Sequence, residues 1–180
     1  MTTIVGVCKN GNVTMGADSQ VTDGDRRNNS LTMEKITKNN GYLIGGSGDS
    51  TPCDILQHIF IPPVPNTAER KNLYKFMITK FVPAVRECLE DNGYKTDPKE
   101  DSGFSMLIAF DGEIFDIGDD FSVLLNDDGI YGVGNGSKFA IGALFAGASV
   151  EKALEIAAHN DIYTSAPFQI VKQQKQIKTK

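Results

Sequence analysis

TTIVGVCKNGNVTMGA, residues 2–17, sets the architecture. Two apolar halves flank Asn10-Gly11, a dipeptide suited to the type I′ turn because both of its central residues need positive φ. The reading is an antiparallel hairpin of Thr3 to Cys8 with Asn12 to Ala17. Ile4, Val5 and Val7 leave neither face of the first strand polar, which is the pattern of a strand covered on both sides. Working outward, Asn40-Gly41 predicts a second hairpin, Lys35 to Lys38 with Tyr42 to Gly45. Asp111-Gly112 predicts a third, Phe104 to Phe110 with Glu113 to Ile117. Asp128-Gly129 predicts a fourth, pairing Val123 to Leu125 with Ile130 to Val133.

Helices separate these strands. Asp54 to Phe60 reads as one, and Glu69 to Asn92 as a longer one kinked at Pro83, with Leu73, Phe76, Met77, Phe81, Ala84, Val85 and Cys88 recurring at helical steps. Pro62, Pro63 and Pro65 divide the two, since the proline ring cannot continue a helix. A second pair follows at Ser137 to Gly147 and Val150 to Asn160, the latter capped by Ser149, and a last strand at Phe168 to Lys172. Hairpins grouped around helix pairs predict antiparallel sheets packed face to face, with helices on their outer faces.

The chain has 180 residues, 40% of them hydrophobic and 23% charged, enough for one domain with a real core over residues 1–180. A formal charge of −5 argues against binding nucleic acid through bulk charge. The N-terminus lacks the basic and apolar regions of a signal peptide, and no run reaches the length of a spanning helix, so no membrane role is expected. Cys8, Cys53 and Cys88 form no metal-ligand or redox pattern, and a reducing, cytoplasmic setting is expected. Acidic residues dominate from Glu87 to Asp128 without EF-hand spacing, while residues 173–180 form a basic tail.

Familiar catalytic motifs fail. Gly45-Gly46-Ser47-Gly48 lacks the lysine of a phosphate-binding loop, and Asp49 stands where a nucleophile elbow needs glycine. His58 and His159 lie inside expected helices. What remains is Met1-Thr2. Removal of Met1 would put a hydroxyl and a free α-amine on one residue, a recognised nucleophile-and-base pair. A model α-amine titrates near 7.7 to 8.0, so part of it is neutral and basic around neutral pH.

In order along the chain, Thr2-Thr3-Ile4-Val5, Gly16-Ala17-Asp18-Ser19 with Thr22, Lys35, Gly45-Gly46-Ser47-Gly48-Asp49, Gly134-Asn135-Gly136-Ser137 and Asp161-Ile162-Tyr163-Thr164 resemble the peptidase β-type subunits of the proteasome family, and HslV-like peptidases most of all. The segment from Pro62 to Asp101 carries no such signature. The resemblance implies an α+β fold, the four-layer αββα sandwich of the N-terminal-nucleophile hydrolases. It implies Thr2 as nucleophile and amine base, Lys35 beside it stabilising the alkoxide, Asp18 pairing with Lys35, and the Gly45 N–H facing the oxyanion. Asn135 occupies the position where the family usually has a serine that contacts the amine; an amide oxygen accepts as a hydroxyl does but does not relay a proton at one atom. Asp161 and Thr164 match the family's supporting aspartate and hydroxyl, and Ser19, Thr22, Gly46 and Ser47 would flank a peptide substrate. The resemblance further implies stacked rings, an ATPase unfoldase partner of the HslU type, unfolded protein substrates, no required cofactor, and a structural sodium ion held by the carbonyls of Ala158, Asp161 and Thr164. Two other readings stay open: a catalytically silent ring or scaffold subunit, and a small-molecule amidase of the same nucleophile type.

Overall fold

The computed structural model describes residues 2–23, 25–29, 34–94 and 103–175. Met1 and the end of the basic tail lie outside them. The first hairpin pairs β1 (Thr3–Lys9) with β2 (Asn12–Ala17). A short two-stranded ribbon follows, β3 (Gln20–Asp23) with β4 (Arg26–Asn29). The second hairpin is β5 (Ile36–Asn39) with β6 (Tyr42–Gly48), closed by Asn40 and Gly41 at φ of 46° and 84°, the type I′ signature. The third is β7 (Phe104–Phe110) with β8 (Glu113–Ile117). Then come β9 (Val123–Leu124), β10 (Ile130–Gly134) and β11 (Gln169–Gln174).

Two main antiparallel sheets result, one in the order β10-β1-β2-β11 and the other β5-β6-β7-β8-β9. Helices α1 (Ser50–His58), α2 (Leu73–Phe76) and α3 (Val82–Asp91) belong to the five-stranded sheet; α4 (Ser137–Phe145) and α5 (Val150–Asn160) belong to the four-stranded one. Three hydrophobic clusters mark the three interlayer spaces. Ile4, Met15, Leu43, Leu107 and Ile114 fill the space between the sheets. Phe76, Phe81, Val85 and Phe115 lie under the first helices, and Val5, Ala140, Leu154 and Ala157 under the second. Ile4 and Val5 therefore face different cores, as the two-sided apolar pattern of β1 required. The architecture is the αββα sandwich.

The fourth hairpin does not form. β9 pairs with β8 in one sheet, and β10 pairs with β1 in the other. Gly129 has the positive φ of a turn, but Asp128 does not share it; its carboxylate instead accepts from the Ile130 N–H at 2.8 Å. The turn carries the chain across the sandwich. Helix α1 starts earlier than expected, at Ser50, because Pro52 falls in the first turn, where no N–H is needed. The kink expected at Pro83 is a widened, π-helical turn over Met77–Phe81 just before it, in which the Val82 N–H reaches back to the Met77 carbonyl. A wider turn relieves the clash between the proline ring and the carbonyl four residues earlier. Ser149 caps α5 through the Lys152 N–H, as expected.

Candidate active site

Strand β1 is the centre from which the site is built. Its register sets Thr3 opposite Gly134, so the buried Thr2 lies against Asn135, whose N–H donates to the Thr2 carbonyl at 2.8 Å. Strand β2 ends at Ala17 opposite Ile4, which brings Asp18 to the same end of the sheet. Both Asp18 oxygens are engaged. Oδ1 accepts from the Thr3 N–H at 2.8 Å and from Lys35 Nζ at 2.8 Å, and Oδ2 accepts from the N–H groups of Gln20 at 2.9 Å and Ser165 at 3.4 Å. Lys35 Nζ also donates to the Gln20 carbonyl at 2.6 Å. One carboxylate oxygen thus links the Lys35 side chain to the peptide bond between Thr2 and Thr3. Burial holds the Lys35 ammonium below its ordinary 10.5, and the adjacent Asp18 carboxylate opposes that shift.

The glycines of β6 are placed differently from what the resemblance implied. A two-residue type I′ turn makes Asn39 and Tyr42 a hydrogen-bonded pair, and the alternation of the antiparallel ladder then directs the main-chain groups of Leu43, Gly45 and Ser47 toward β7. The next residue of that series, Asp49, donates its N–H to the Gly103 carbonyl at 3.2 Å, as this parity requires. Gly45 faces Leu107, and a Cβ there would meet Ile4 and Met15 in the core. Gly46 has the opposite parity. Its N–H points to the edge of β5, whose ladder with β6 ends at Ile36 opposite Gly45, and Gly46 lines the cleft beside Thr2 and Lys35. The donor available to an oxyanion is therefore Gly46 and not Gly45.

Asp161 and Thr164 support Thr3. Thr164 Oγ1 donates to Asp161 Oδ2 at 2.5 Å and lies 2.6 Å from Thr3 Oγ1, all three residues being buried. The glycines around Asn135 have a steric reason. A Cβ on Gly134, at φ 87°, would strike the Thr2 carbonyl and stand 2.8 Å from Ser47 Oγ; one on Gly136 would stand 2.5 Å from Thr164 Oγ1 and 2.9 Å from Asp161 Oδ2. Gly136→Ala is therefore expected to destabilise the fold by about 1–3 kcal/mol through overpacking. Chemical denaturation checks this, and an unchanged midpoint would contradict it.

Thr2 sits between two depressions. A cleft of 370 Å³ is lined on one side by Thr2, Thr22, Lys35, Gly46, Ser47 and Cys53, and a second of 520 Å³ by Thr2, Ser47, Asp49, Asn135 and Lys138. Thr22 and Ser47 thus reach the cleft. Ser19 is buried and donates its N–H to the Ser165 carbonyl at 3.2 Å, so it is a joint of the framework. Burial, with the Asp54 and Asp49 carboxylates, pushes the Cys53 thiol up to about 12, which disfavours its thiolate. Thr3, Gln20 and Gly136 also hold the site together; Thr3 and Gly136 lie within the motifs quoted above, where they carry no assigned role, and Gln20 lies between Ser19 and Thr22.

Carbonyl oxygens of the kind the resemblance implies for sodium are ligands that a hard cation takes. Helix α5 ends at Asn160, the Ala157 carbonyl is taken by the Asp161 N–H, and Ala158 is among the last residues whose carbonyls have no intrahelical partner. The Asp161 carbonyl already accepts from the Thr164 N–H at 3.2 Å. Among the described residues no group of three or more His, Cys, Asp or Glu side chains is placed to hold a metal. No described helix is long and apolar enough to cross a membrane.

No protein-family model matches the chain, and no curated protein matches it. Solved structures do. Thiobacillus denitrificans BPH in complex with epoxomicin aligns with a TM-score of 0.75 at 21% identity, covering 98% of this chain and 100% of that one. The eukaryotic HslV of Trypanosoma brucei aligns at 0.67 and 24% identity over 96% and 99% of the two chains. Anbu (ancestral beta-subunit) from Yersinia bercovieri aligns at 0.70 and 12% identity over 96% and 81%. What the chain shares with these structures is the fold, the αββα sandwich described above.

Proposed function

We propose that the chain is a threonine-type endopeptidase subunit, active once removal of Met1 exposes Thr2. The observation that carries this reading is the Asp18 oxygen shared by Lys35 Nζ and the Thr3 N–H, which fixes an ammonium beside the residue that bears both hydroxyl and amine. Thr2 Oγ attacks the scissile carbonyl while the neutral α-amine, directly or through a water, takes the hydroxyl proton. The Gly46 N–H receives the oxyanion, and Lys35 stabilises the alkoxide. Collapse of the tetrahedral intermediate expels the amine product, which takes the proton from the Thr2 ammonium. Water then hydrolyses the ester, releasing the acid product and restoring Thr2.

Asp161 and Thr164 act through the Thr3 hydroxyl, holding the strand that carries Thr2. Ala158, Asp161 and Thr164 would hold a sodium ion by their carbonyls, stiffening the same turn. Assembly into stacked rings in the cytoplasm would enclose the sites, a reading that the fold shared with HslV supports, and an ATPase unfoldase, implied by the sequence resemblance alone, would supply unfolded chains.

Epoxomicin, present in the BPH complex, supplies the test. Intact mass should show one inhibitor equivalent on the processed chain and none on Thr2→Ala or on a chain retaining Met1. A processed chain that stays unmodified and inert toward peptides would sink the proposal. Asn135 favours a second reading, a silent subunit. On the peptidase reading Asn135→Ser keeps or raises kcat/KM for a peptide substrate; activity appearing only in that variant would mean that the natural chain is silent.

A further inference from the structure

The cleft beside Gly46 carries an excess of negative charge. Its ionisable side chains are those of Glu34, Lys35, Asp49, Cys53 and Asp54; the Thr2 α-amine of the processed chain also lines it and is neutral in the reacting form. Lys35 is already occupied by Asp18 at 2.8 Å and by the Gln20 carbonyl at 2.6 Å, and its side chain is 7% exposed. Cys53 stays a neutral thiol at physiological pH. Glu34, Asp49 and Asp54 are the charged lining residues that remain.

Their placement is defined by α1. Asp49 occupies the N-cap position but makes no side-chain cap; it accepts instead from the Tyr94 hydroxyl at 3.2 Å. Asp54 lies on the first turns of the same helix, one residue after Cys53, and is exposed. Cys53, between them in the chain, is the wall against which Gly46 is packed, its Sγ 2.5 Å from where a Cβ on Gly46 would stand. Glu34 precedes Lys35 at the outer end. The N-terminal dipole of α1 opposes them with about half a positive charge, which the Asp49 carboxylate alone outweighs. Val21 and Cys53 add apolar wall, against which the methylenes of a long basic side chain would lie with its charge at the acidic rim.

We propose that this cleft selects lysine or arginine at the residue whose carbonyl Thr2 attacks. The inference rests on the peptidase reading, because it is the oxyanion at the Gly46 N–H that places that residue here. An acidic side chain at the same position is repelled.

Citrulline, nearly isosteric with arginine and uncharged, isolates the charge. Peptides alike except for arginine, citrulline or glutamate at this position are expected to give kcat/KM at least about tenfold higher for arginine than for citrulline, with glutamate lowest. Asp54→Asn combined with Asp49→Asn brings the arginine-to-citrulline ratio toward one, and 0.5 M salt reduces it. Binding of the same peptides to Thr2→Ala, by calorimetry, needs no chemistry at Thr2. The expected result is a Kd about tenfold lower for arginine than for citrulline, lost in the double carboxamide variant. Equal Kd values for the arginine and citrulline peptides would overturn the proposal. Discriminating binding with no turnover by the processed chain would instead overturn the peptidase reading and leave the cation preference standing.

Discussion

On the peptidase reading, Thr2→Ala is expected to lower peptide hydrolysis by about 10⁴-fold or more, to the level of the assay blank, and to leave the fold intact. Removal of the hydroxyl deletes the attacking atom, and no other described side chain replaces it. Cys53 is held neutral by burial, and His58 and His159 are far along α1 and α5, at their last turns. The contacts that seat the residue are its main-chain ones: the Thr2 carbonyl accepts from Asn135, and the following Thr3 N–H donates to Asp18. Alanine keeps both, so circular dichroism and the denaturation midpoint should match the unsubstituted chain within about 0.5 kcal/mol. Thr2→Ser retains Oγ and the amine and should retain measurable turnover. Full hydrolysis by Thr2→Ala would place the nucleophile elsewhere. Sedimentation separates the remaining enzyme classes, because a stable monomer that cleaves a small amide is an amidase and not a chambered peptidase.

The strand pairs visible in the sequence are those whose turns determine their partners. Asn10-Gly11, Asn40-Gly41 and Asp111-Gly112 each close a hairpin between adjacent runs, so local chemistry suffices. Asp128-Gly129 looks the same in sequence and behaves differently, because the apolar runs on its two sides are claimed by β8 and β1, strands from two separate sheets. The β3–β4 ribbon, Gln20–Asp23 with Arg26–Asn29, has no apolar alternation to mark its strands, and only the Asp23-Gly24 dipeptide signals it.

The candidate site divides in the same way. Asp18 and Lys35 could be matched from the order of residues along the chain, and the structure joins them at 2.8 Å. Gly45 and Gly46 could not be told apart. Which of two successive glycines turns its N–H to the cleft depends on ladder parity, set by the turn at Asn40-Gly41 and by where β5 stops. Thr3 was equally hidden: its hydroxyl matters only because β1 and the turn after α5 meet, 161 positions apart in the chain.

Lys35→Ala should cost about 10²- to 10³-fold in kcat/KM, a smaller loss than that of Thr2, with a displaced pH profile as its mark. On the peptidase reading, kcat/KM is expected to rise with pH as the Thr2 α-amine loses its proton. The nearby Lys35 cation disfavours a second positive charge there. At the alkaline end activity falls as Lys35 itself loses its proton, and burial brings that limb below the ordinary 10.5. Alanine removes the alkoxide's cation, shifts the first limb upward and abolishes the second. A side chain that only filled space would lower the rate without moving either limb. Asp18 gives the structural control: with Lys35 gone, its Oδ1 keeps the Thr3 N–H at 2.8 Å but has lost its ion partner, so part of the stability goes with the rate. Asp18→Asn in the Lys35→Ala background removes that buried charge and should recover stability without recovering activity. Recovery of both would mean that Lys35 serves the fold alone, and full activity in Lys35→Ala would mean that another cation serves Thr2.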